Sequence, residues 1–115
     1  MMPDMLRVTT HDRPGGVRVL CLSGEIDHDS VEALRAAVEQ ALAEGRDRLV
    51  VELSTVAFCD SAGLSLFVEA HRRTAAAGGW FRLAAPTGAV RYVLDATNLG
   101  DYLGVYEDAD SAAAG

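Results

Sequence analysis

Residues 49–63, Leu-Val-Val-Glu-Leu-Ser-Thr-Val-Ala-Phe-Cys-Asp-Ser-Ala-Gly, change from one structural period to another within a single stretch, and the rest of the chain must be arranged around that change. Leu49, Val50, Val51 and Leu53 form a short apolar run rich in β-branched residues, the pattern of a strand covered on both faces. The stretch closes on Asp60-Ser61-Ala62-Gly63. After it Leu64, Phe67, Val68 and His71 fall at i, i+3, i+4 and i+7, which predicts a helix with one largely apolar face. Asp60 is the expected N-cap, its carboxylate accepting a backbone N–H of the first turn. Ser61 then takes the first helical position, with its hydroxyl beside the open amides and the positive end of the helix dipole. A phosphate on Ser61 would be favoured by the dipole and opposed at close range by Asp60. Asp-Ser opening a helix is equally ordinary capping chemistry, and alone it says only that a helix begins. Ala62 and Gly63 add to it. They leave the Ser61 hydroxyl unshielded, and glycine this early in a helix costs about 1 kcal/mol relative to alanine. A close approach at that point is expected, either by another element of this chain or by a partner.

On either side the elements follow by pattern. Leu6 to Thr10 alternates weakly as a first strand, 11–16 is a turn by composition, and Val17 to Leu22 is a second strand, so the two predict an antiparallel hairpin. Ser23 to Asp27 leaves the strand. Asp29 with Glu32 three residues on resembles a capping box, and a helix follows from about Ser30 to Glu44 with Val31, Leu34, Val38, Ala41 and Leu42 as its apolar stripe. Gly45 stops it. The helix opened by Ser61 runs to about Ala77, Gly78-Gly79 ends it, and Trp80 to Ala84 is a fourth strand. Val90, Val93 and Leu94 mark a short helix after Pro86-Thr87-Gly88. Leu99 to Tyr106 reads as a short last strand or an extended segment. The expected unit is one domain over 1–115, with its core at about 6–108 and a frayed, alanine-rich tail over 109–115. The order β-β-α-β-α-β-α predicts an α/β fold: a small mixed sheet whose antiparallel hairpin edges a parallel part, with helices packed on it.

Composition removes several classes of function. The net charge is −7 and all ten basic residues are arginine, with no basic cluster. That argues against nucleic acid or an anionic membrane as the main partner. Half of the residues are hydrophobic, so the chain has a core. Met1 to Met5 holds Pro3 and Asp4 and does not read as a signal peptide, and no apolar run reaches transmembrane length, so a cytoplasmic protein without membrane insertion is expected. The two cysteines, Cys21 and Cys59, stand in strand-like surroundings outside any C-x-x-C pair and read as buried reduced thiols.

Other constellations are thin. Asp27-His28-Asp29 supplies too little of a coordination sphere for a metal site and reads better as a polar helix entrance. His71 lies on an apolar face and reads as a packed, hydrogen-bonded histidine. Ser61 lacks the Gly-x-Ser-x-Gly elbow of a hydrolase. Phe58, Trp80 and Phe81 read as core residues and do not alternate with basic residues as nucleic-acid platforms do. No catalytic residues, metal or cofactor are expected.

The ordered combination of Gly24-Glu25-Ile26-Asp27, Leu49-Val50-Val51-Glu52-Leu53-Ser54, Phe58-Cys59-Asp60-Ser61-Ala62-Gly63-Leu64, Gly78-Gly79 and the segment from Leu94 to Leu99 resembles the STAS domain, the sulphate-transporter and anti-sigma-factor-antagonist module. The resemblance covers roughly Leu6 to Asp108. It departs at Glu52, where the family often has Asp, and at Cys59, where it often has Met or Leu. The resemblance implies a bacterial anti-sigma factor antagonist whose regulated serine matches Ser61. The unmodified form would bind an anti-sigma factor that is also a serine kinase and free a sigma factor; phosphorylation would end the complex, and a metal-dependent serine phosphatase would reset it. Asp27, His28, Asp60, Ser61, Ala62 and Gly63 are the residues expected to meet the partner. Two other readings stand beside it: a STAS subunit of a lipid-transport ABC complex, which would also use this surface, and a stressosome-like scaffold subunit, in which many STAS domains pack together.

Overall fold

A computed structural model describes residues 6–114, so that 1–5 and 115, the outermost parts of the expected domain, lie outside the described residues. Five strands form one sheet in the order β1-β2-β3-β4-β5, which is also their order in the chain. They are β1 (Leu6–Arg13), β2 (Val17–Ile26), β3 (Arg48–Cys59), β4 (Trp80–Ala84) and β5 (Val105–Tyr106). β1 and β2 pair antiparallel, and every later pair is parallel. This is the mixed sheet with a hairpin edge that the element order predicts.

Parallel neighbours need crossovers, and helices supply them. α1 (Val31–Ala43) joins β2 to β3, α2 (Ser61–Ala76) joins β3 to β4, and α3 (Gly88–Ala96) with α4 (Leu99–Leu103) joins β4 to β5. Adjacent strands linked in sequence by right-handed crossovers place successive helices on one face of the sheet. The main core lies there, built from Leu20, Leu22 and Ile26 of β2, Leu34 and Val38 of α1, Leu49, Val51 and Leu53 of β3, Phe67 of α2, Phe81 and Leu83 of β4 and Leu94 of α3. The other face carries a small cluster of Val17, Val19, Val50 and Ala84, closed by Ala112.

Four local expectations are corrected. β1 continues through Arg13, because an exposed edge strand has a polar sequence that reads as a turn. β2 and β3 both run past their expected ends, to Ile26 and Cys59, through irregular pairing between Cys21 and Ser23 and again between Gly24 and Glu25. Those shifts leave Leu22, Ile26, Val56 and Cys59 all in the core despite the polar residues between them. Residues 99–106 hold a short helix before a strand of two residues, separated by Gly104 at φ +80°. The tail expected to fray forms α5 (Ala109–Ala114); its Ala112 is fully buried, and the Arg82 guanidinium donates to the Ala112 carbonyl at 2.9 Å. Ala109, Ala112 and Ala113 give that segment small side chains that fit flat against the second sheet face.

Two buried features at the amino ends of the parallel strands set the lower end of the fold. Arg18 is 7 % exposed and bonds Asp12 at 2.6 Å and Glu44 at 2.7 Å, so β1, β2 and the end of α1 share one buried cation, whose proton the two carboxylates hold more tightly. Gly79 is packed so closely that a Cβ there would fall 1.9 Å from the Asp47 carbonyl oxygen. That contact lets the Trp80 N–H reach the same oxygen and start the β3–β4 pairing.

Candidate functional site

Because β2 and β3 are parallel, with Ile26 opposite Cys59, their carboxyl ends stop side by side. The segments that follow, 27–30 and 60–63, therefore lie together at one end of the sheet, the usual place for function in such folds. The Asp60 N–H donates to the Ile26 carbonyl at 3.0 Å and closes the gap between them.

Asp60 is the N-cap of α2, as its sequence position predicts. Its Oδ1 accepts from the N–H groups of Ala62 at 2.8 Å and Gly63 at 3.3 Å. Its Oδ2 accepts from the His28 N–H at 3.2 Å. One carboxylate thus caps a helix and ties down the neighbouring loop. The consequence for Ser61 differs from the sequence expectation. The amides closest to it already have an acceptor, so a phosphate on its hydroxyl would sit beside a carboxylate instead of replacing it as a cap. Ser61 stands at the first helical position, exposed.

The other loop is built by Asp27 and Ser30. Asp27 Oδ1 accepts from the N–H of Asp29 at 3.0 Å and of Ser30 at 2.9 Å, an Asx turn. The Ser30 hydroxyl accepts from the Asp27 N–H at 2.9 Å and donates to the Glu25 carbonyl at 2.7 Å. Ser30, not Asp29, is the N-cap of α1, and it makes no side-chain cap. The Asp29–Glu32 capping box is therefore not formed: the Ser30 hydroxyl is turned back into the loop by these two bonds. Burial works against the charge of Asp27, and the Ser30 N–H, the Ser30 hydroxyl and the Asp29 N–H outweigh it, holding the carboxyl below its ordinary range. His28 projects into solvent, Nε2 3.4 Å from Asp29 and Nδ1 4.0 Å from Asp60.

The six residues expected at a partner surface are thus gathered in two adjoining segments, but they are not equally accessible. His28 and Ser61 are exposed; Asp27, Asp60 and Ala62 are half-buried; Gly63 is buried. The close approach foreseen at Gly63 is made within this chain: a Cβ there would lie 2.6 Å from Cys59 Sγ and 2.7 Å from Ile26 Cγ2. Glycine lets α2 start directly against the ends of β2 and β3, which is what brings Ser61 beside the Asp27–Ser30 loop.

Burial, and then the neighbouring Asp60 charge, push the Cys59 thiol up to about 12, and burial raises Cys21 as well. Both are protonated at neutral pH and poor nucleophiles. No group of three or more His, Cys, Asp or Glu among the described residues is placed to hold a metal ion, and no helix among them is long and apolar enough to cross a membrane. His71 packs its ring 4.6 Å from that of Tyr102, but its buried Nδ1 has no hydrogen-bond partner, contrary to the expected hydrogen bond.

Sequence reasoning missed two surface features. Phe58, expected in the core, is 47 % exposed. It sits between inward-facing Val56 and Cys59 in a stretch of irregular pairing, which turns this aromatic side chain outward. Val68, expected on the buried face of α2, is outside the core cluster; the buried face is Leu64, Leu66, Phe67, Ala70 and Thr74. Val68 instead lines an open groove of about 670 Å³ along α2.

A family model described as "Mlab, STAS domain" matches residues 9–105. The anti-sigma-F factor antagonist RsfB of Mycobacterium tuberculosis is 41% identical over 64 residues, which is 56% of this chain and 52% of that protein, so this chain spans about half the length of that relative in the match. The crystal structure of an anti-sigma factor antagonist from Mycobacterium paratuberculosis superposes with a TM-score of 0.86 at 30% identity, covering 98% of this chain and 95% of that one. The anti-sigma factor antagonist SpoIIAA in its unphosphorylated form gives a TM-score of 0.75 at 28% identity over 90% of this chain and 88% of that one. The same protein from Bacillus is also known in a phosphorylated form.

Proposed function

The chain belongs to the STAS domain family, and on that footing we propose that it is an anti-sigma factor antagonist switched by phosphorylation of Ser61. Unmodified, it binds an anti-sigma factor that is also a serine kinase, in the cytoplasm, and so frees a sigma factor. Asp27, His28, Asp60, Ser61 and Ala62 form the contact, with Gly63 beneath them holding the helix in place. The kinase ends the complex by phosphorylating Ser61, and a metal-dependent serine phosphatase restores it. The chain does no chemistry of its own. The names of its relatives and the existence of a phosphorylated relative support this reading.

The observation that carries it is the placing of an exposed serine one residue after a carboxylate that is already bonded to two helix amides and to the facing loop. A phosphate adds about two negative charges there, with no cation within the loop except a protonatable His28. Like charges and lost hydration then act inside the contact itself, while the fold is undisturbed. Release needs an affinity loss of about 100-fold, or about 2.7 kcal/mol.

The test is incubation with the cognate kinase and ATP, followed by mapping of the modified residue by mass spectrometry and calorimetric titration of both forms. Modification at Ser61 with weakened binding is expected, and Ser61→Ala should bind and resist modification. Phosphate found only on Ser65 or Thr87, or equal affinity of the two forms, would overturn the proposal.

A further inference from the structure

His28 is the single basic residue in the two segments that build the site, 27–30 and 60–63. Its backbone is fixed from both sides. The His28 N–H donates to Asp60 Oδ2 at 3.2 Å, and the turn made by Asp27 closes around it. Its ring is free to move: the side chain is 79 % exposed, with Nε2 3.4 Å from Asp29 Oδ1 and Nδ1 4.0 Å from Asp60 Oδ2. Both distances exceed those of a formed N–H···O bond, so no bonded partner holds the imidazole.

The charges around this ring are negative. Asp27 and Asp29 come from its own loop, and Asp60 comes from the start of α2. Glu32, in the first turn of α1, is engaged by Arg35 at 3.2 Å, and Arg35 also holds Glu69 at 3.0 Å. Among the described residues no arginine forms an ion pair with Asp27, Asp29 or Asp60. Residues 85–87, which leave β4 at the same end of the sheet, are uncharged. Ser61 follows Asp60 with its Cα about 3.8 Å away, so a phosphate on it joins this cluster as its largest charge. An opposite charge within about 4–6 Å favours the protonated imidazole, and the protonated imidazole favours the phosphate dianion by the same amount.

The geometry points to His28 as the counter-charge of a phosphate on Ser61, which makes the switch depend on pH: release is full in neutral to alkaline medium and partial in mild acid. This rests on the proposed function for the phosphorylation of Ser61 and goes beyond it in assigning proton regulation to the same site. With the imidazole uncharged, the phosphate stands unpaired in the contact and dismisses the partner. An imidazole takes up its proton between about pH 8 and pH 5. Once charged, the mobile ring pairs with the phosphate and cancels about one of its two charges. The penalty scales with the charge that is left, so a 100-fold loss of affinity shrinks to ~10-fold. The phosphate's own protonation near pH 6 acts in the same direction, and substitution of His28 separates the two.

The experiment uses the full chain with phosphoserine at position 61, as wild type, His28→Gln and His28→Arg, each beside its unphosphorylated form. Phosphorus NMR between about pH 5 and pH 8 follows the phosphate with no partner present. Its second ionisation should fall ~0.3–0.5 of a pH unit lower in wild type than in His28→Gln, and at least as low in His28→Arg, as one opposite charge about 6 Å away in water requires. Calorimetry against the recombinant anti-sigma factor of the same genome, without ATP, gives the ratio of the two forms' affinities at each pH. That ratio removes any titration of the partner common to both forms. At pH 8 it should be ~100 for wild type and His28→Gln and ~10 for His28→Arg, whose cation is permanent. At pH 6 it should be ~10 or less for wild type and ~30 for His28→Gln, in which only the phosphate titrates. Melts should match wild type, because the ring is exposed and the N–H bond to Asp60 is kept. Equal phosphate titration in wild type and His28→Gln, or a His28→Arg ratio at pH 8 as large as that of wild type, overturns this inference and leaves the proposed function standing. A wild-type ratio near one at pH 8 removes both.

Discussion

Replacing Gly63 with alanine should destabilise this protein even though alanine is the better helix former. The added methyl would lie 2.6 Å from Cys59 Sγ and 2.7 Å from Ile26 Cγ2. Neither neighbour is the loose end of a surface chain: Ile26 is fully buried and Cys59 is 2 % exposed. Overpacking a filled core costs about 1–3 kcal/mol, and two such contacts against immobile atoms belong in the upper part of that range, about 2–3. The gain in helix propensity offsets about 1 kcal/mol. The net loss is then about 1–2 kcal/mol, or a fall in melting temperature of about 5–10 °C for a domain of this size. Chemical denaturation with matched calorimetry measures it. A double-mutant cycle with Cys59→Ala sharpens the test, because removing the sulfur removes one of the two clashes. The pair should be more stable than the sum of the single changes by about 0.5–1.5 kcal/mol. If Gly63→Ala is as stable as wild type, or more so, then the glycine is not required by the packing of α2 on β2 and β3, and its place at the site needs another reason.

Other changes probe neighbouring links. Asp60→Ala removes the acceptor of three N–H groups and should cost about 1–2 kcal/mol by denaturant midpoint, with faster hydrogen exchange at Ala62, Gly63 and His28; exchange unchanged at His28 would separate the loop from the cap. Asp27→Asn keeps one oxygen for the two N–H groups of its turn, so it should weaken partner binding while the melt barely moves; a large loss of stability with intact affinity would make Asp27 purely structural. The Cys59 thiol is pushed up to about 12 from an ordinary 9.0, so the unfolded chain gives up that proton first as pH rises. Stability should therefore be insensitive to this thiol below about pH 9 and fall between about 9 and 12, and Cys59→Ala should flatten that alkaline limb. A thiol reagent at pH 8 should label half-buried Cys21 well before Cys59 in the native protein; equal rates would contradict the burial assigned to Cys59.

Much of this architecture was legible before any coordinates because its signals are local. The run Leu49 to Leu53 is apolar on both sides, and it is the central strand, with core on one face and the Val50 cluster on the other. Asp60 caps, Ser61 opens the helix, and the alternation of strands and helices dictates the parallel sheet. The misreadings have a common cause in geometry that a fixed period cannot express. The shifts in β2 and β3 bring both Val56 and Cys59 to the core face and leave Phe58 facing solvent, although a large aromatic residue reads as core. Val68 fell on the wrong side of α2 because Leu64, Phe67, Val68 and His71 fit a helical stripe as well as the true one does. Arg18 was invisible for a different reason: a buried cation is recognisable only once Asp12 and Glu44, 6 and 26 residues away, are seen around it. Glycine at 63 was readable as a demand for space, but not whose space it was.

The sheet grows in one direction only, each strand after the first pairing with the one made just before it. On a ribosome that order means the chain carries an unfinished edge at every stage: first the edge of β2, then of β3, then of β4. Each is a row of open amides and carbonyls able to recruit another nascent chain until the next strand arrives. The last strand is only Val105–Tyr106, and it meets β4 at Leu83 and Ala84. Those two residues, with the small helix Ala109–Ala114 behind them, are the stopper. A chain cut after Leu103 would keep the main core but leave β4 as a live edge, so loss of this slight ending should do more for aggregation than its size suggests.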